Sequence, residues 1–151
     1  MKVKSWGKLV GAIALCEGAG IIGSLFTVSS IQNWYAFLNK PSFSPPNYLF
    51  GPVWTILYVL MGIAFYLVRK NKFAVKLFLV HLFFNAVWSI IFFGLHDIAL
   101  ALVDILVMWG MIIAMILKFY PIKKTASYLL LPYIMWVTLA TVLNYAVWVL
   151  N

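Results

Sequence analysis

Apolar residues gather in five stretches, 9–28, 48–68, 73–95, 98–119 and 126–150, parted by short polar breaks. About 20 mostly apolar residues are needed to cross a hydrocarbon core of about 30 Å, so each stretch predicts one transmembrane helix. The break at 29–47 is of another kind, because Trp34, Tyr35, Pro41, Phe43, Pro45 and Pro46 crowd into it. Rings and fixed φ angles lose little entropy when held in one shape, which suits a lid or wall over a pocket. The pattern therefore predicts a single domain over 1–151, an all-α membrane protein built as a five-transmembrane-helix bundle. Five helices do not divide into two inverted halves, which weakens the paired-repeat transporter architecture.

Composition supports the class. Hydrophobic residues fill 66% of 151 positions and charged residues 9%, against roughly half and a quarter in soluble domains. Charge adds an orientation. Lys2, Lys4 and Lys8 precede the first span, Arg69, Lys70, Lys72 and Lys76 lie between the second and third, and Lys118, Lys123 and Lys124 between the fourth and fifth. Only Lys40 falls on the other side, so the basic-loop rule predicts a cytoplasmic amino end and an outer carboxyl end. The net charge of +8 is thus a topology signal; no contiguous basic stripe points to nucleic acid. The basic start resembles a secretory leader, but Leu15 before Cys16 is too large for a lipoprotein-type site and the apolar run continues past Glu17, so an uncleaved helix is expected. Cys16 is the lone cysteine, expected as a small buried apolar residue.

Polar residues inside spans need a reason to be there. On the third stretch His81, Asn85, Trp88, Ser89 and Phe92 recur at helical spacing and share a face. Trp54, Tyr58, Met61 and Phe65 make a stripe on the second, and Tyr133, Trp136, Ala140, Leu143, Asn144 and Trp148 one on the fifth. Packing explains such stripes one at a time; together with the lid they predict a flat, aromatic-lined cavity, the usual form of a small-molecule site. Asp104, with Met108, Met111 and Met115 on nearby turns, is expected to hydrogen-bond another helix. Glu17 lies among Gly18, Gly20 and Gly23, which suggest close helix approach or a passage for a ligand. His81 and His96 are too isolated for a metal site and are expected as hydrogen-bonded or interfacial histidines. Pro52 suits a helix start, whereas Pro132, if the last helix begins near Thr125, should kink it from within.

These residues also fall into motifs. W-Y-x-x-L-x-K-P-S-F-x-P-P (34–46), F-G-P-V-W-x-x-L-Y (50–58), N-x-x-W (85–88), F-F-G (92–94), A-L-V-D (101–104) and P-Y-x-x-W-x-x-x-A-T-x-L-N-Y (132–145) resemble the TspO/MBR family of tryptophan-rich sensory and translocator proteins, also called peripheral-type benzodiazepine receptors. The resemblance covers nearly the whole chain, in order. It implies a five-helix bundle, commonly a homodimer, with a cavity under the first loop that binds porphyrins such as protoporphyrin IX and lipophilic benzodiazepine-type ligands. No cofactor or metal is implied as a requirement.

Carried over residue by residue, the family's ligand-binding wall falls on Tyr35, Trp54, Tyr58, Asn85, Trp88, Trp136, Ala140 and Leu143. The resemblance also connects Trp54 and Trp136 with light- and oxygen-dependent porphyrin breakdown, chemistry for which an easily oxidised indole is suited. The cholesterol pattern of mitochondrial members is missing here, since Tyr145 is followed by no basic residue, and sterol binding is not carried over. Phe43 stands where many relatives have Trp. The expectation is an integral membrane receptor-like protein, possible sensor included, in contact with membrane lipid in a prokaryotic plasma membrane. Tetrapyrrole transport, slow photo-oxidative catalysis and a regulatory role compete with it.

Overall fold

The computed structural model describes residues 5–151, and Lys2 and Lys4 lie outside them. Five segments long and apolar enough to cross a membrane form there, and no strand is present among the described residues. Helix α1 is Trp6–Asn33, α2 is Phe50–Val68, α3 is Lys72–Ser89, α4 is Ile98–Phe119, and the fifth segment divides into α5, Lys124–Tyr128, and α6, Leu131–Leu150. Short loops begin α3 and α4 with side-chain caps. Asn71 Oδ1 accepts from Ala74 N at 2.9 Å and Asp97 Oδ1 from Leu100 N at 2.8 Å, each satisfying an N–H that the first helical turn leaves free.

Three boundaries differ from the apolar pattern. Helix α1 runs past 28 to Asn33, so the lid is 34–46 rather than 29–47. Hydroxyls carry the helix beyond its apolar run: Ser24 donates to Ile21 O, Thr27 to Gly23 O, and Ser30 crosses to Phe93 O at 2.6 Å. Pro132 does not kink a continuous helix from within. It sits in the first turn of α6, where its missing N–H is harmless, and the break falls just before it, at 129–130. The third span widens after Ser89 into a π-helical turn, Ile90–Gly94, closed by His96 at φ 57°, the one non-glycine left-handed residue among those described. Asp97 N then reaches back to Ile91 O at 3.2 Å.

Close helix approach comes from glycine. A Cβ on Gly62 would lie 2.6 Å from Ile13 Cα, so α1 and α2 touch nearly backbone to backbone. Gly23 faces Ser89 and Gly94 faces Phe26, pressing the carboxyl-terminal half of α1 onto the end of the third span. Gly7 and Gly11, by contrast, meet nothing within 4 Å. The core proper joins Cys16, Met61, Phe78, Met108, Ile112, Met115, Phe119, Tyr133 and Val137, with α4 packed behind α3 and α6. The up-and-down course brings Ser5 N to Tyr66 Oη at 3.2 Å at one end of the bundle, the end that carries the described basic residues other than Lys40.

Candidate functional site

At the opposite end the bundle opens into a partly enclosed cavity of about 400 Å³ between α1, α2, the π turn and α6, under the 34–46 lid. Pockets of this size take drug-sized ligands. Of the eight residues singled out in the sequence, Tyr35, Trp54, Tyr58, Trp88, Ala140 and Leu143 line it. They come from the lid and three helices, brought together because each helix turns its ring-bearing stripe inward.

The other two stand apart from the wall. Asn85 is 3% exposed and sits one layer behind, accepting from Tyr58 Oη at 2.7 Å and donating to Tyr133 Oη at 2.9 Å. Tyr133 Oη lies 2.9 Å from His81 Nε2. This buried chain joins α2, α3 and α6 and orients the Tyr58 ring that faces the cavity. Trp136 turns instead to an apolar groove with Val53, Leu57, Pro132 and Leu139, its ring edge-on to Phe50 at 5.6 Å. The break before α6 begins this helix at Leu131, which places Trp136 on the α2 seam and Ala140 and Leu143, one and two turns on, against the cavity.

Trp54 stacks on Tyr58 with ring centroids 5.5 Å apart and planes at 30°. Trp88 stacks on Phe92 at 5.2 Å, and its Nε1 donates to Asn144 Oδ1 at 3.1 Å, while Asn144 Nδ2 donates to Ile98 O at 2.9 Å. Both indoles are therefore held in place before any ligand arrives. Phe50, Phe93 and Glu17 also line the cavity. Neither Phe50 nor Phe93 carries a sequence signal apart from its motif, but Glu17, a carboxylate inside a glycine-rich span, does. Asp104 does not make the expected interhelical bond. It is 6% exposed and its Oδ2 has no partner, while Asn85 and Tyr133 are engaged with Tyr58, His81 and Met108. Among the described residues no cluster of three or more acidic, His or Cys side chains forms a metal centre.

The lid is tied down at several points. Lys40 Nζ donates to Tyr35 O, Ala36 O and Leu38 O at 2.8, 3.2 and 3.1 Å, which caps the turn on itself. Asn39 N donates to Asn151 Oδ1 at 3.0 Å, and Asn151 Nδ2 returns a bond to Asn39 O at 3.1 Å, fastening the lid to the end of α6. Trp34 stacks on His96 at 4.3 Å. Tyr35 packs edge-on to Phe93 at 5.8 Å, and burial raises its hydroxyl above the usual phenol range, keeping it a neutral donor near neutral pH.

The chain is similar to proteins from all domains of life. It is 46% identical over 149 residues to the Tryptophan-rich protein TspO of Archaeoglobus fulgidus, covering 95% of this chain and 97% of that protein. It is 41% identical over 135 residues to the human Translocator protein, covering 84% and 80%, and 34% identical over 149 residues to the Tryptophan-rich sensory protein of Cereibacter sphaeroides, covering 97% and 92%. The family model that matches residues 12–149 is that of the TspO/MBR family. With five membrane-spanning segments and a match over nearly its full length, the chain is an integral multi-pass membrane protein that belongs to the TspO/MBR family.

Proposed function

We propose that the protein binds a flat lipophilic small molecule, a porphyrin or a benzodiazepine-type compound, within the bundle, with Tyr35, Trp54, Tyr58, Trp88, Ala140 and Leu143 as the wall and Asn85 as the group that orients Tyr58. The observation that carries this reading is the partly enclosed, aromatic-walled cavity of about 400 Å³ beside the 34–46 loop. Two indoles already held, Trp54 by ring contacts and Trp88 by stacking and a hydrogen bond, lose little freedom when a flat ring lies against them, and pre-organisation of this kind favours affinity. Relatives carry the names translocator and sensory protein; cargo movement and sensing both begin with binding.

The test is a titration of the purified protein with protoporphyrin IX, read by quenching of Trp fluorescence. Saturable quenching is expected, weakened in Trp88→Phe; strictly linear quenching would show partition into detergent alone. Light-driven oxidation of the bound porphyrin by dioxygen is a second reading, favoured by the place of Trp54 on the wall. Bleaching of the porphyrin band under illumination then slows in Trp54→Phe and is unchanged in Trp136→Phe, whose ring faces the other groove. Transport requires ligand flux into protein-bearing liposomes.

The same reading has the basic end of the bundle in the cytoplasm of a prokaryotic cell and the lid outside. Lys8, Arg69, Lys70, Lys72, Lys76, Lys118, Lys123 and Lys124 support it. A membrane-impermeant maleimide should label Phe43→Cys on intact cells and Lys70→Cys only after permeabilisation. Cys16 is buried and gives no background. The reverse labelling pattern inverts the topology.

A further inference from the structure

Glu17 faces the cavity from the middle of α1. Its Oε1 is buried without a hydrogen-bond partner, and no Lys, Arg or His is among the residues that line the cavity. Several polar groups of the same lining are engaged elsewhere. Ser24 and Thr27 donate to carbonyls of their own helix, Thr55 donates to Gly51 O at 3.0 Å, and Asn144 is held by Trp88 and Ile98. A carboxylate at this depth must find a donor or a counter-charge; no cation lines the cavity and no hydrogen bond reaches Glu17 Oε1 among the described residues.

We infer that Glu17 is the recognition point for a basic nitrogen on the ligand, so that the cavity selects flat lipophiles bearing a protonated amine over their hydrocarbon counterparts. This rests on the reading of the cavity as a ligand site. The selection works in two directions. An amine seated at Glu17 forms a charge-assisted hydrogen bond in surroundings with few competing donors. A purely apolar ligand that fills the same space expels water from the carboxylate and offers nothing in return, which counts against it. A ligand carrying its own carboxylates is expected to turn them away from α1 for the same reason.

The experiment compares 1-pyrenemethylamine with 1-methylpyrene, two flat probes of nearly equal shape, in nonionic detergent, with energy transfer from Trp to pyrene as the readout. Wild-type protein should bind the amine at least about tenfold more tightly, the low end for a hydrogen bond to a charged group. In Glu17→Gln the ratio should fall close to one, with 1-methylpyrene binding at least as tightly as to wild type because no charge is left to desolvate, which also shows that the variant is folded. Glu17→Asp, which keeps the charge on a shorter arm, should retain part of the preference. Saturable binding of both probes without preference in wild type, or with the same preference in Glu17→Gln, overturns the inference and leaves the cavity reading standing. No saturable binding of either probe to wild type overturns both.

Discussion

Ala140→Phe is expected to abolish saturable protoporphyrin IX binding while leaving the bundle assembled. Ala140 lies on α6 where the helix borders the cavity, and its methyl group is part of the wall. A phenyl ring at this position projects into the space that a ligand needs and toward the fixed indoles of Trp54 and Trp88, which their stacking on Tyr58 and Phe92 prevents from moving aside. Affinity should fall by about a hundredfold or more, equivalent to about 2.7 kcal/mol. Ala140→Thr is the graded case. Its hydroxyl can bond back to the carbonyl one turn earlier, and its added methyl takes only part of the space, so a loss of about tenfold, about 1.4 kcal/mol, is expected. Both are measured by the Trp quenching titration, with thermal unfolding as the control for assembly. Unchanged affinity in both variants would place the ligand somewhere other than this cavity.

The second large effect concerns the bundle itself. Gly62→Ala is expected to destabilise the protein by about 1–3 kcal/mol, the range for forcing extra volume into a packed core. The added Cβ would stand 2.6 Å from Ile13 Cα and 2.9 Å from Ile13 N. Those are backbone atoms of a helix and cannot rotate away, so α1 as a whole must shift. Gly110→Ala on α4 is the control. Nothing lies within 4 Å of its Cβ position, and replacing a mid-helix glycine by alanine removes an entropic penalty of about 1 kcal/mol. Unfolding midpoints in one detergent should therefore move in opposite directions. Equal midpoints for Gly62→Ala and wild type would mean that α1 and α2 are not in backbone contact. The consequence extends to the site, because α1 carries Glu17 and packs Gly20 against the Tyr58 ring; a displaced α1 should weaken ligand binding together with stability.

The five spans, their order and the lid were legible in the chain because the bilayer imposes a length rule that any run of about 20 apolar residues meets. The inward stripes were legible for a related reason: a helix repeats every 3.6 residues, so Trp54 with Tyr58, and Ala140 with Leu143 and Asn144, had to share faces. Local sequence did not decide the phase between helices. Trp136 belongs to the same stripe as Ala140, yet it faces the α2 groove while Ala140 faces the cavity. The break at 129–130 and the crossing of α6 over α2 set which part of a broad stripe meets which neighbour. Asn85 shares an inward face by its spacing and falls on the wall by the family resemblance, yet it lies a layer deeper, because Tyr58, on another helix, stands in front and bonds to it. The π turn at 90–94 left no trace in the apolar pattern, since its widened geometry is held from outside, by Ser30 on the Phe93 carbonyl and by Trp34 against His96. The number of spans, the family and the aromatic supply of the site thus follow from the chain alone. Which rings face the cavity, and that Glu17 faces it unpaired, depend on contacts between segments that no single helix encodes.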